Sequence, residues 1–141
     1  FGVGHFFVKR IEYIHDDLVY VFFIAADVLI LPYRFIYQSG VLFLSYSFGL
    51  PVIASDVGSL RQDIVEGQTG MVCRPEDADD LADKIHAYFH SDLFDNLQQA
   101  RSEIMEYGNR KYSWEEVGHI TCAVYEQLLS KAGLSRVSQE L

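Results

Sequence analysis

The chain has 141 residues, a length typical of one domain, and half of them are hydrophobic, which is enough for a buried core. Its 20 acidic and 11 basic side chains give a net charge of −9, which argues against a nucleic-acid-binding face and against a polybasic membrane patch. Two cysteines form no disulfide framework and favour a reducing compartment, which predicts the cytoplasm.

Membrane association is not expected from the apolar segments. The most apolar run, residues 18–31, is interrupted by Asp27, and its unbroken part is shorter than the roughly 18 residues of a membrane span. The start of the chain lacks the basic region of a signal peptide. Because the first residue is Phe1 rather than Met, the chain is expected to be a piece of a longer protein.

The first half of the chain alternates between strand and helix patterns. Predicted strands cover residues 8–14, 27–31, 52–54 and 71–74, and predicted helices cover residues 18–26, 40–48 and 59–65. Residues 18–26 are apolar on every side, which predicts a buried helix that Asp16 or Asp17 can cap. The alternation predicts parallel strands with crossover helices, hence an α/β, Rossmann-like sheet with flanking helices.

The second half of the chain shows helix patterns alone. Predicted helices cover residues 77–90 and 92–107, and Ser113 with Glu116 forms a capping box that opens a last helix. That helix carries apolar residues at helical spacing and is expected to end at Gly133. We therefore divide a single partial domain, residues 1–141, into a strand and helix core (1–75), a helical segment (76–133) and a tail (134–141).

The best candidate site is the loop of residues 33–39 and the helix that follows it. In open parallel sheets, ligands bind beyond the carboxyl ends of the strands. The first turn of the helix, Ser39-Gly40-Val41, has free backbone N–H groups that attract anions. Gly40 permits a ligand to approach the backbone, Ser39 adds a hydroxyl, and Arg34 can pair with a phosphate.

Each of these features also has a purely structural interpretation. Ser39 can simply cap the helix, Arg34 can be solvated, and Gly58 can serve a plain turn instead of the close approach of a ligand. His86 and His90 have a metal-compatible spacing, but no third ligand is evident, so no metal site is predicted. Local sequence alone favours the structural interpretations.

In their order along the chain, the motifs resemble the retaining GT-B glycosyltransferases, the family 4-like group 1 enzymes that include relatives of sucrose and glycogen synthases. The motifs are HDD, AADVLILPY, QSG, GLPVIASDVGSL, EGQTGMVCRPED and YSWEEVG, and they span residues 8–129. Any one of them is weakly specific, whereas the ordered series is fairly specific. The Gln-Ser-Gly motif is typical of one branch of that family.

The resemblance implies the carboxyl-terminal, donor-binding domain of a GT-B enzyme. Its partner would be a nucleotide sugar, UDP- or GDP-linked, whose diphosphate lies at Ser39, Gly40 and Val41 and near Arg34. Gln38 and Gly58 would lie near the donor sugar or the nucleotide. The family transfers sugar with retention, generally without a metal or another cofactor.

Three positions depart from the family pattern. Relatives carry two glutamates around this helix and another after the glycine turn, and this chain has Ile36, Leu44 and Gln62 there. No sugar or ribose contact is therefore carried over to Ile36 or Leu44. The catalytic residues are left unassigned.

Length is the other departure from the family. The amino-terminal acceptor domain and the first two strands of the donor domain have no counterpart in the sequence, so we expect an open sheet edge and an inactive isolated chain. The last helix normally packs on that acceptor domain. Two alternatives are a non-catalytic interaction or structural module and, ranked lowest, a sugar-nucleotide epimerase.

Overall fold

The computed structural model describes residues 8–131, which form a three-stranded sheet and seven helices. The elements are α1 (Asp16–Ala25), β1 (Leu29–Leu31), α2 (Gly40–Ser47), β2 (Val52–Ser55), α3 (Leu60–Asp63), β3 (Gly70–Cys73), α4 (Ala78–Tyr88), α5 (Asp92–Asp95), α6 (Leu97–Lys111) and α7 (Trp114–Lys131). The fold is therefore α/β with a helical carboxyl-terminal segment, as the sequence predicts.

The sheet is parallel, with the order β1-β2-β3. Leu29 pairs with Val52 and Val52 pairs with Gly70, so the three strands begin in register. A side chain at Gly70 would lie 1.9 Å from the carbonyl oxygen of Val52, which explains the glycine at this close pairing. Because α2 and α3 provide the crossovers, the carboxyl ends of the strands meet at one edge.

The core lies on both faces of β2, whose four residues are all buried. Val52 and Ala54 face a cluster formed by α2, α3 and α6, with Leu42 and Ile104 among its members. Ile53 points the other way, toward the cluster of α4, α5 and α6. The sheet is thus a middle layer, covered by helices on each side.

Helix α2 begins and ends where the sequence signals indicate. Ser39 is its N-cap and accepts a hydrogen bond from the N–H of Leu42 at 3.4 Å. Gly49 stops the helix in the left-handed conformation, at φ +65°. Since Gly49 also lies against the backbone of Arg101 in α6, the stop fixes how α2 packs.

The amino-terminal predictions are partly wrong. Residues 8–14 form no strand, and Val8, Ile11 and Tyr13 are highly exposed. A strand needs a hydrogen-bonded neighbour, and β1 pairs only with β2 among the described strands, so its outer edge is open as expected.

Helix α1 forms over a slightly longer span than predicted, but it is not buried. His15 is its N-cap without a side-chain capping bond, while the two candidate caps Asp16 and Asp17 lie in its first turn. None of its residues is buried, because the described part of the chain covers only a fraction of its all-round apolar surface.

The helical segment also differs in detail from the prediction. The predicted helix 92–107 is two helices, since the backbone of Asn96 leaves the helical conformation between α5 and α6. Ser113 does cap α7, accepting hydrogen bonds from the N–H groups of Glu115 and Glu116. Gly133 and the proposed tail lie outside the described residues, and the division of the chain at residue 75 stays a prediction.

Candidate functional site

The start of α2 presents an open helix end. Leu42 donates its N–H to both the carbonyl and the hydroxyl of Ser39, so the N–H groups of Gly40 and Val41 precede the first hydrogen bond of the helix. Ser39 itself is buried, with 3% of its surface exposed. Its hydroxyl therefore acts first as the cap of the helix, which is the structural role that local sequence favours.

Gly40 leaves free space at this helix end. A Cβ at Gly40 would meet no heavy atom within 4 Å, so no packing constraint of the described residues requires a glycine there. Val41 is also exposed. A ligand therefore has access to the backbone of the first turn, where the helix dipole favours negative charge.

Gly58 supports the loop before α2. It has φ +58°, and a side chain there would lie 2.1 Å from the carbonyl oxygen of Ile36 and 2.6 Å from that of Tyr37. The next residue, Ser59, donates its N–H to the carbonyl of Tyr37 at 3.0 Å. The close approach that requires this glycine is thus made by the chain's own backbone.

Arg34 lies in a separate cavity of about 320 Å³ at the carboxyl ends of the strands. Its Nε donates to Oε1 of Glu76 at 2.6 Å, and its Nη2 forms an ion pair with the same oxygen. Glu76 has φ +56°, an unusual conformation for a residue other than glycine. Arg34 is therefore neither free nor merely solvated, because a carboxylate already holds it.

The other cation in this cavity is also paired. Arg74 forms ion pairs with Asp77 at 3.1 Å and Asp80 at 3.5 Å. The backbone N–H of Arg74 donates to Asp80 at 2.6 Å, and this bond, together with the guanidinium, lowers the pKa of Asp80. Both arginines of the cavity thus face carboxylates of the loop after β3 and the start of α4.

Gln38 and Gly40 lie in a second depression, which we call the α2 groove. It has a volume of about 790 Å³ and lies between α2, the end of α6 and the start of α7. Its lining includes Leu44, Tyr112 and Trp114, of which Trp114 is 87% exposed. The described residues thus divide the predicted site, with Arg34 in the strand-end cavity and Gln38 with Gly40 in the groove.

Two of the three positions that depart from the family pattern, Ile36 and Leu44, have different environments. Ile36 is partly buried and packs against the core cluster. Leu44 is 38% exposed and lines the α2 groove. Leu44 therefore adds an apolar side chain to the lining of the groove.

Sequence reasoning missed a buried polar cluster beneath the loop, centred on Asp63. Its carboxylate accepts hydrogen bonds from Tyr112 at 2.7 Å and Ser59 at 2.8 Å, and Lys111 lies 3.5 Å away. Burial and the bond to Asp63 raise the pKa of Tyr112. The partners Asp63 and Tyr112 are 49 residues apart, so no local pattern in the sequence connects them.

The described residues contain no group of three or more His, Cys, Asp and Glu side chains that could hold a metal ion. The rings of His86 and His90 stack at 4.3 Å. Cys73 and Cys122 are free thiols, and burial raises the pKa of Cys73, which favours an inert, protonated thiol. Across residues 8–131, no helix has both the length and the apolar character that crossing a membrane requires.

Comparisons with known proteins agree with this fold. Residues 3–91 match the family model described as Glycosyl transferases group 1. The D-inositol 3-phosphate glycosyltransferase of Paenarthrobacter aurescens (strain TC1) is 28% identical over 111 residues, which are 77% of this chain and 26% of that protein.

A solved structure provides an independent comparison. The sucrose-phosphate synthase from Thermosynechococcus elongatus superposes with a TM-score of 0.68 and 26% identity, over 79% of this chain and 27% of that chain. The chain therefore spans about a quarter of the length of these relatives. The family match over residues 3–91 includes the three described strands, in keeping with a part of a GT-B-like glycosyltransferase.

Proposed function

The chain belongs to the group 1 glycosyl transferases, and from this premise we propose that it is the donor-binding part of a retaining GT-B enzyme. The donor is a UDP- or GDP-sugar, and its diphosphate binds at the start of α2. The observation that carries the proposal is the open end of α2, which follows β1 at the carboxyl edge of a parallel sheet. The Gln-Ser-Gly motif at this helix start supports the branch of the family named above.

The diphosphate is held mainly by backbone groups. The N–H groups of Gly40 and Val41 donate to phosphate oxygens, and the hydroxyl of Ser39 can donate its hydrogen while it accepts from Leu42. As the bond to the sugar breaks, negative charge grows on the leaving diphosphate. Fixed donors and the helix dipole stabilise this charge without reorganisation.

Arg34, Gln38 and Gly58 have supporting roles in this proposal. Arg34 reaches the diphosphate by exchanging the carboxylate of Glu76 for a phosphate, an exchange that costs little because both side chains are largely exposed. Gln38 offers its amide to the donor sugar or nucleotide from the rim of the groove. Gly58 acts indirectly, by permitting the turn after β2 to support residues 36–37.

The remaining parts of the reaction are proposed to lie in a longer protein. This chain spans about a quarter of its relatives, so an acceptor-binding domain and further basic groups come from outside it. We propose that the 141-residue chain binds the nucleotide but does not transfer sugar. Transfer itself proceeds without a metal, in the cytoplasm.

Nucleotide titration of the 141-residue chain tests the proposal. UDP and GDP should shift the amide resonances of residues 39–41, whereas uridine, which lacks the diphosphate, should not. Gly40→Leu should weaken UDP binding at least about tenfold by filling the approach to the helix end. Gly118→Leu is the matched control, since Gly118 is a helical glycine that also has nothing within 4 Å of its Cβ position.

Two results would contradict the assignment of the site. A folded sample whose residues 39–41 do not respond to millimolar UDP or GDP contains no diphosphate site at this helix. Equal loss of binding in Gly40→Leu and Gly118→Leu would place the site elsewhere. Turnover by the full-length protein with a panel of nucleotide sugars then tests retention and the identity of the donor.

A further inference from the structure

The Asp63 carboxylate is the centre of contacts from two distant parts of the chain. Tyr112 and Lys111, at the end of α6, approach its Oδ1 at 2.7 and 3.5 Å. Ser59 donates its hydroxyl to Oδ2 at 2.8 Å. Only 8% of Asp63 is exposed, so these bonds replace the water that would otherwise solvate the charge.

Ser59 connects the Asp63 carboxylate to the loop that precedes α2. While its hydroxyl binds Asp63, its backbone N–H donates to the carbonyl of Tyr37 at 3.0 Å. Beside it, Gly58 lies against the carbonyl oxygens of Ile36 and Tyr37 with no room for a side chain. The turn after β2 therefore holds the backbone of residues 36–37 at two adjacent points.

Residues 36–37 lead directly into the helix start. Tyr37 stands two positions before Ser39, the N-cap of α2. The loop between β1 and α2 contains no regular structure that would hold it by itself. Ile36 of this loop packs against the core cluster, and a second support is the chain of contacts that runs from α6 through Asp63 and Ser59 to the carbonyl of Tyr37.

We propose that Asp63 is the positioning residue of the diphosphate site: its carboxylate fixes Ser59, and Ser59 fixes the backbone that presents Ser39 and Gly40 to the donor. The role rests on the function proposed above, and Asp63 itself touches no substrate. Tyr112 and Lys111 support this role, because the Tyr112 hydroxyl and the nearby Lys111 ammonium stabilise the buried charge of the Asp63 carboxylate.

The test compares four substitutions in the 141-residue chain, at Ser59 (two), Asp63 and Asp77. Ser59→Ala removes the hydroxyl that links Asp63 to the loop. Ser59→Thr retains this hydroxyl and should therefore keep the wild-type amide shifts and UDP affinity. Asp77→Ala is the control for a general loss of stability, because Asp77 is the N-cap of α4 and its carboxylate accepts a hydrogen bond from the N–H of Asp80. The measurements are amide shifts without ligand, thermal unfolding and UDP affinity.

Ser59→Ala should shift the amides of residues 37–41 in the absence of ligand and weaken UDP binding about threefold, because part of the free energy of the lost hydrogen bond to the Asp63 carboxylate is lost from binding. Asp63→Asn should do the same more strongly. Asp77→Ala should lower the unfolding temperature without moving the amides of residues 37–41. The ligand-free readout does not depend on UDP, so the positioning role can be judged even if the chain binds no nucleotide.

Shifts confined to residues 57–63 and 107–112 in Ser59→Ala would overturn the proposal, since Asp63 would then only anchor α6. Equal shifts of residues 37–41 in Asp77→Ala would overturn it too, by showing that the loop conformation follows the global stability of the chain. If residues 37–41 move as expected but UDP binds neither variant nor wild type, the proposed function fails, and Asp63 positions a loop that has another role.

Discussion

Helices α2 and α7 show how differently two apolar helices of one chain can be packed. Within the eight residues of α2, Leu42, Ser45 and Tyr46 are buried between the sheet and α6. The eighteen residues of α7 have none buried, although Val117, Ile120, Val124 and Leu128 recur at helical spacing. The periodic pattern therefore reports that a face is apolar, and the position of the helix in the fold decides whether that face is covered.

The largest contrast between the two helices should be seen on truncating a leucine in each. Leu42 is 0% exposed in the core cluster, so Leu42→Ala should lower the free energy of unfolding by about 2–5 kcal/mol through lost burial and a residual cavity. Leu128 on α7 is 56% exposed, and Leu128→Ala should change the free energy of unfolding by less than about 0.5 kcal/mol. Urea unfolding measures both.

A large loss in Leu128→Ala would break this comparison, because it would mean that α7 is covered in solution by a contact that the described residues do not make. A small loss in Leu42→Ala would mean that the cluster around α2 repacks. The unfolding slope, which scales with the surface exposed on unfolding, distinguishes a changed ensemble from a changed stability.

The same contrast explains what the sequence can predict. The start of α2 at Ser39 and its end at Gly49 depend on contacts within a few residues, so local signals suffice. The predicted strand 8–14 and the burial of α1 depend on neighbours elsewhere, and both predictions are wrong for the described residues. The sequence shows that residues 8–14 and α1 carry apolar side chains, but it does not show which partner would cover them.

The candidate site follows the same rule. Three consecutive residues, Ser39-Gly40-Val41, are enough to predict the accessible helix end at Gly40. The engagement of Arg34 by Glu76 joins residues 42 apart and has no local signature. The contact of Asp63 with Tyr112 spans 49 residues, and the cluster beneath the loop therefore became visible only in the folded chain.

A smaller contrast is expected between glycines of the two regions. Gly49 has φ +65°, and a Cβ there would lie 2.3 Å from the carbonyl oxygen of Arg101, so Gly49→Ala should cost about 2 kcal/mol or more. Gly118, in the exposed α7, has free space around its Cβ position. Gly118→Ala should stabilise the helix by up to about 1 kcal/mol, since alanine has the higher helix propensity.

Thermal unfolding with a matched buffer should show shifts of opposite sign for these two alanines. A neutral Gly49→Ala would mean that α2 and α6 can separate at this point without loss of the core. A destabilising Gly118→Ala would indicate that another group packs closely against α7 at this glycine. Like a large loss in Leu128→Ala, it would mean that α7 is covered by a contact that the described residues do not make.

The smallest effect concerns pH and the buried phenol of Tyr88. Burial raises its pKa from 10.0 to about 12, and its hydroxyl donates to the carbonyl of Asp27 at 2.6 Å. Below pH 10 both the folded and the unfolded chain keep the proton, so the contribution of Tyr88 to stability is fully present. Between pH 10 and 12 the unfolded chain loses its proton first, and stability should fall by roughly 1 kcal/mol at about pH 11.

Tyr88→Phe isolates this contribution from those of the other buried tyrosines. The variant should be less stable than the wild type at neutral pH, because the carbonyl of Asp27 loses its donor, but its urea midpoint should fall less steeply above pH 10. Tyr125→Phe, on the exposed face of α7, controls for the loss of a phenol that is 63% exposed, and should leave the neutral-pH midpoint unchanged. If the urea midpoints of the wild type and Tyr88→Phe fell in parallel above pH 10, the pKa of Tyr88 would not be raised as its burial implies. Buried and exposed tyrosines of this chain would then not differ in ionisation.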